Sequence, residues 1–193
     1  MPITNYMVNH STRHAATSLM LMLLVSGSVS ASVVHTFLSQ REHLTPEEIE
    51  IVRDTQELDR RTAIFIKAVE RRIMVLTNSA ATAPTKKKEK DEEEKWGAMP
   101  KGTRTQLLSD ISRILDEAIT NIDDSAARSP KSPLLPKSLR KLAESSNKFL
   151  PALTAMRDGV AGDSERDALE QAIENAQTVI EAAGKLPPPD EKK

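Results

Sequence analysis

Large apolar residues recur at intervals of three and four through four stretches of this chain, and that spacing confines it to helices. In the first stretch Leu44, Ile51, Leu58, Phe65, Ile66, Val69, Ile73 and Leu76 share one face at about 100° per residue. In the second, Leu107, Leu108, Ile111, Ile114, Leu115, Ala118, Ile119 and Ile122 form a broad arc opposite Arg113, Asp116 and Glu117. Leu139, Leu142, Ala143, Phe149, Leu150, Leu153, Met156 and Val160 mark the third. The fourth is half alanine: Leu169, Ala172, Ile173, Ala176, Val179, Ile180 and Ala183, a face that lets neighbours approach closely. Neither alternating strand patterns nor a repeat of fixed period accompanies them. The expected class is all-α, a small helical bundle of about four amphipathic helices with a charged flexible linker after the first.

Start and stop residues set the expected boundaries. Thr45 can cap, Pro46 suits the first helical position and Glu48 stands where a capping-box acid belongs, so one long helix is expected over 45–78. Its acids Glu47, Glu48 and Glu50 and its bases Arg71 and Arg72 match the helix dipole at either end. The following run, with Pro84, Gly97, Pro100 and Gly102 around "KKKEKDEEEK", has no apolar face and reads as a solvated linker over 79–104. Trp96 stands alone beside it. A three-helix region over 105–184 then packs with the first helix. It opens with a helix from Thr105 to Ala127, which Pro130, Pro133 and Pro136 stop as an extended connector able to cross a bundle end. The next helix starts near Lys137. Pro151 lies inside it, but the apolar positions on both sides share a face, which favours a kinked helix or two coaxial pieces. Gly159 and Gly162 end it, Asp163 caps the last helix, Gly184 with Leu186 closes that one, and 185–193 is a disordered tail.

Before the helices comes a different kind of segment. Arg13, without any acid, precedes the apolar core Leu19–Val25 and the small residues Ser26 to Ala31, the layout of a secretory signal over 1–31. Cleavage between Ala31 and Ser32 places Val29 and Ala31 in the peptidase pocket and leaves 32–44 as the mature N-terminal segment. The competing reading is a retained anchor, because Leu19 to Leu38 carries no charge over roughly the 20 residues a spanning helix needs. Four serines and Gly27 dilute its apolar character.

Charge and composition narrow the chemistry. With residues 1–31 removed the chain is near neutral, and outside that segment its aromatics are Trp96 and three Phe, so there is neither the basic surface nor the stacking platform of a nucleic-acid binder. The chain has no cysteine, which excludes disulfides, thiol chemistry and a lipid-modified cysteine. His35 and His43, expected outside the bundle, have no helical metal spacing, and "GVAG" at Gly159–Gly162 lacks the Lys and Ser or Thr of a phosphate loop. No catalytic, cofactor or metal residue is assigned, and the carboxylates are expected on polar faces. Thr55, Asp59 and Thr62 either line a small pocket or border a narrow core face.

One stripe points outward from the first helix. Ile64, Ala68, Arg71 and Val75 lie opposite the main apolar face, so the helix needs two neighbours, both within the chain or one from a partner subunit. The surrounding Asp59–Arg72 is either a docking helix for a protein groove or anionic lipid, or a buried centre flanked by solvated arginines. The functional expectation is an exported, non-enzymatic helical protein working through an unknown protein partner or self-association in the cell envelope or periplasm. Nucleic acid is not an expected partner, and the membrane is one only if 19–38 is retained. The alternatives are a single-pass anchored helical protein and a small-ligand-binding bundle.

Overall fold

The computed structural model describes residues 42–77 and 94–188, and these are all-helical, with no strand among them. The expected signal or anchor, the cleavage site at Ala31 and Ser32, His35, most of the charged run and the last residues of the tail lie outside the described residues. Among the described residues the long α-helices are, in order, α1 Pro46–Asp54, α2 Leu58–Leu76, α3 Arg104–Arg128, α4 Leu134–Ala155 and α5 Asp163–Gly184. A 3-10 turn, Arg157–Gly159, joins the last two.

The first difference from expectation is that the long helix is two. α1 begins as the sequence implies: the Thr45 hydroxyl accepts from the Glu48 amide, the Glu48 carboxylate accepts from the Thr45 amide, and Pro46 occupies the first turn. It stops at Asp54, however, where Thr55 turns to extended backbone and its amide bonds back to Val52. No glycine or proline marks this break. Side chains bond the carbonyls at the break instead: Arg61 Nε donates to the Thr55 carbonyl at 2.9 Å and Gln56 Nε2 to that of Arg53 at 3.0 Å. Two of the carbonyls freed by the break thereby find donors.

Smaller differences occur at the other ends. Thr103 and Gln106 form a capping box that starts α3 at Arg104. α4 begins at Leu134, so Pro136 lies inside its first turn, where a missing amide costs nothing because that amide has no intrahelical partner. The helix also runs unbroken through Pro151, which faces solvent, where water can take the carbonyl that the proline leaves without a donor. Asp163 is the first residue of α5 rather than its cap; Gly162 holds the cap position, and Asp163 pairs with Arg166 Nη1 at 2.8 Å. Gly184 is the last helical residue and Lys185 closes the helix in right-handed geometry, while Leu186 packs on the core as expected.

Packing follows the apolar faces. α2 lies against α3 and α4, and α5 lies against the same two, so α3 and α4 sit on a diagonal and the 129–133 connection crosses the bundle end. α1 lies on α2. Phe65 and Val69 of α2, Leu108, Ile111 and Leu115 of α3, Leu142 and Leu153 of α4, and Leu169 and Val179 of α5 are buried in one continuous core. Each such side chain contributes about 1.5–3 kcal/mol of burial. Ala172 and Ala176 are fully buried on α5, and Ser138 and Ser146 on α4.

Candidate functional site

The densest polar arrangement of the described residues is a buried ionic clasp fastening α1 to α2. Its residues come from distant positions because the chain reverses at 55–57. In one straight helix Glu48 and Arg71 would stand about 35 Å apart at 1.5 Å per residue, but Arg71 Nη1 donates to Glu48 Oε1 at 2.7 Å. Arg72 approaches the same carboxylate with both terminal nitrogens, Nη1 to Oε1 at 2.9 Å and Nη2 to Oε2 at 2.8 Å. The Thr45 amide adds a bond to Oε2 at 2.9 Å. Glu48 is 0% exposed, Arg71 3% and Arg72 1%, so these are full charges removed from water.

The remaining donors of the two arginines bind the chain around them. Arg72 Nη2 donates to the His43 carbonyl at 2.6 Å and Nη1 to that of Ala68 at 2.9 Å, while its Nε faces Asp110 Oδ2 of α3 at 3.9 Å. Arg71 Nη2 donates to the carbonyls of Gly97 at 2.9 Å and Ala98 at 2.6 Å, and the Trp96 ring lies 5.9 Å from its guanidinium carbon. Two arginines and two carboxylates, Glu48 and Asp110, balance in charge, as a buried cluster must to offset its desolvation. Both Glu48 oxygens are filled by donors, which leaves the carboxylate no role as base or metal ligand while the clasp is closed.

These positions correct several expectations. Arg71 and Arg72 are not solvated flanks, and Glu48 is not a polar-face carboxylate. His43 belongs to the body of the fold: its Nε2 lies 2.6 Å from Glu117 Oε2 on α3, and its carbonyl belongs to the clasp. The Trp96–Ala98 end of the expected linker is docked on α2 through Arg71. In the proposed partner-facing stripe, Ile64, Ala68 and Arg71 are buried within the chain and Val75 is half-buried. The capping-box pattern was the signal that singled out Glu48; its reach to α2 has no counterpart in the local sequence.

A second cluster fastens α2 to α4. The Asp59 carboxylate, buried at the start of α2, meets Lys141 Nζ at 2.7 Å and Lys137 Nζ at 3.2 Å. The Lys141 bond is the main cause of a carboxyl pKa below its ordinary 3.8; burial opposes it and Lys137 adds to it. A depressed folded pKa gives stability that is complete above the unfolded value and is lost as pH falls through the folded one. The stability gap between wild type and Asp59→Asn should therefore narrow once pH drops below about 3.8. Melting curves taken from neutral to strongly acid pH check this, and a constant gap would show that the pair contributes nothing through charge.

Thr55 ends α1, and the buried Thr62 hydroxyl donates to the Leu58 carbonyl of its own helix at 2.8 Å. A cavity of about 10 Å³ between α3, α4 and α5 is lined by Ile119, Ile122, Leu139, Thr178, Val179 and Ala182, room for no more than a water molecule. Among the described residues no cluster of His, Asp or Glu is disposed to hold a metal, and no helix is long and apolar enough to cross a membrane.

Fold and clasp together define a compact all-helical domain tied by buried ion pairs. Neither family models nor curated proteins nor solved structures contain a match to this chain.

Proposed function

We propose that the chain is an exported, non-enzymatic helical protein that acts through protein–protein contacts in the cell envelope or periplasm. The observation that carries this reading is the N-terminal order of Arg13, the apolar core Leu19–Val25 and the small residues up to Ala31. In this proposal the four longer helices act as one bundle and the charged run between α2 and α3 is a linker. Contacts with a partner would run through polar outer faces, since Ile64, Ala68 and Arg71 are occupied inside the chain. Mass spectrometry of the protein recovered from the envelope fraction should find Ser32 at its N-terminus, and crosslinking in intact cells should then capture a protein partner or a second copy. Recovery of the full-length chain from soluble cytoplasm would overturn the proposal.

The uncharged run Leu19 to Leu38 favours a second reading, in which the same helical body is held at the membrane by a retained anchor. Full-length protein in the membrane fraction, resistant to carbonate extraction, would select it over cleavage.

A further inference from the structure

We propose that α1 and the Trp96–Ala98 strap form one latch, linked to each other through the guanidinium of Arg71, so that the two dock and loosen together. One terminal nitrogen of that group, Nη1, is given to Glu48 of α1, and the other, Nη2, to the Gly97 and Ala98 carbonyls. The strap also keeps the clasp dry, because Trp96 covers Arg71 and Pro100 behind it is buried. When the strap lifts, water reaches the guanidinium and weakens its hold on Glu48, since an ion pair in solvent is worth a small part of one held in a low dielectric. When α1 lifts, Arg71 and Arg72 lose the carboxylate that balances them, and the strap loses the fixed donor that holds it. α1 has only nine residues, too few to stay helical alone, so its order depends on this docking.

Gly97 is the point at which the latch can be tested without replacing a charged residue. Its φ of 66° lies in the left-handed region, and an added Cβ would stand 2.6 Å from the Glu47 side chain of α1. In the full chain, Gly97→Ala should speed amide exchange over 46–54 by about five-fold, the factor that corresponds to left-handed backbone strain. Exchange in α3 and α5 should stay unchanged. Trp96 is the sole tryptophan, so its emission should shift to the red in the same variant. Coupling between two sites is reciprocal, which sets the second arm: Thr45→Ala, which removes only the α1 cap, should also shift Trp96 emission to the red. Red-shifted emission in Gly97→Ala with α1 exchange unchanged would overturn the latch, as would equal acceleration in every helix. Unshifted emission in Thr45→Ala would overturn it from the other side.

Discussion

Replacing Glu48 by alanine is expected to destabilise the protein by about 3–5 kcal/mol, the cost of leaving buried charge without its partner. Three contributions act together. Arg71 and Arg72 remain buried with Asp110 as the nearest acid, at 3.9 Å from Arg72. The Thr45 amide loses its acceptor, worth about 1 kcal/mol for a cap. α1 also loses the bond that holds it on α2. Urea denaturation measures the sum, and Thr45→Ala, which removes the reciprocal bond from the Glu48 amide to the Thr45 hydroxyl, gives the scale of one capping bond. A Glu48→Ala loss no larger than that of Thr45→Ala would mean that the ion pairs contribute nothing net. The clasp differs from a stability device in the ordinary sense, because the cost of taking its charges out of water offsets much of their mutual attraction. Its effect is to fix where α1 sits: apolar faces tolerate sliding, whereas a carboxylate receiving four directed donors does not.

That contrast separates what the sequence makes legible from what it does not. α3 and α5 were readable nearly to their ends because their apolar arcs are broad, their breakers are glycine and proline, and their neighbours only reinforce the local pattern. The break at 55–57 was not. Ile51, Leu58 and Phe65 keep helical phase across it, and the residues there, Thr55, Gln56 and Glu57, are not strong helix breakers. What opens the helix is a long-range interaction: Arg61 reaching back to Thr55 and across to Asn121 of α3 at 3.0 Å, and Glu48 finding two arginines. Pro136 departs from expectation for the opposite reason. A proline signals a boundary, but within the first turn it is compatible with the helix itself.

The clasp residues were visible one by one and their meaning was not. Arg71 and Arg72 near the end of a helix satisfy the dipole rule, and Glu48 satisfies the capping box, so local rules explain each of them without invoking the other. Buried charge is rare enough that a solvated reading is the natural default. Only the reversal of the chain, which is a tertiary fact, turns three ordinary surface residues into a desolvated cluster. The same holds for His43, which lies in what reads as an unstructured lead but pairs with Glu117, 74 residues away.

The double variant Ile64→Ser and Val75→Ser should lower stability by several kcal/mol and leave the sedimentation behaviour unchanged. Ile64 carries most of the effect. It is 8% exposed, so truncation to serine deletes most of a buried apolar side chain, worth about 2–5 kcal/mol with its cavity. The hydroxyl it introduces adds about 1–3 kcal/mol wherever it finds no acceptor. Val75 is half-buried near the end of α2 and adds a smaller share. The stripe is the one apolar surface on which the sequence offered a partner, and the fold gives it to neighbours within the chain. Ala68 beside it is fully buried and Arg71 is bound on two sides, so a second subunit has little there to grip. Thermal melting and sedimentation velocity on the same sample decide the matter. A weakened self-association with the melting temperature intact would mean that α2 opens this face to a partner in solution, and the internal assignment of the stripe would have to be abandoned.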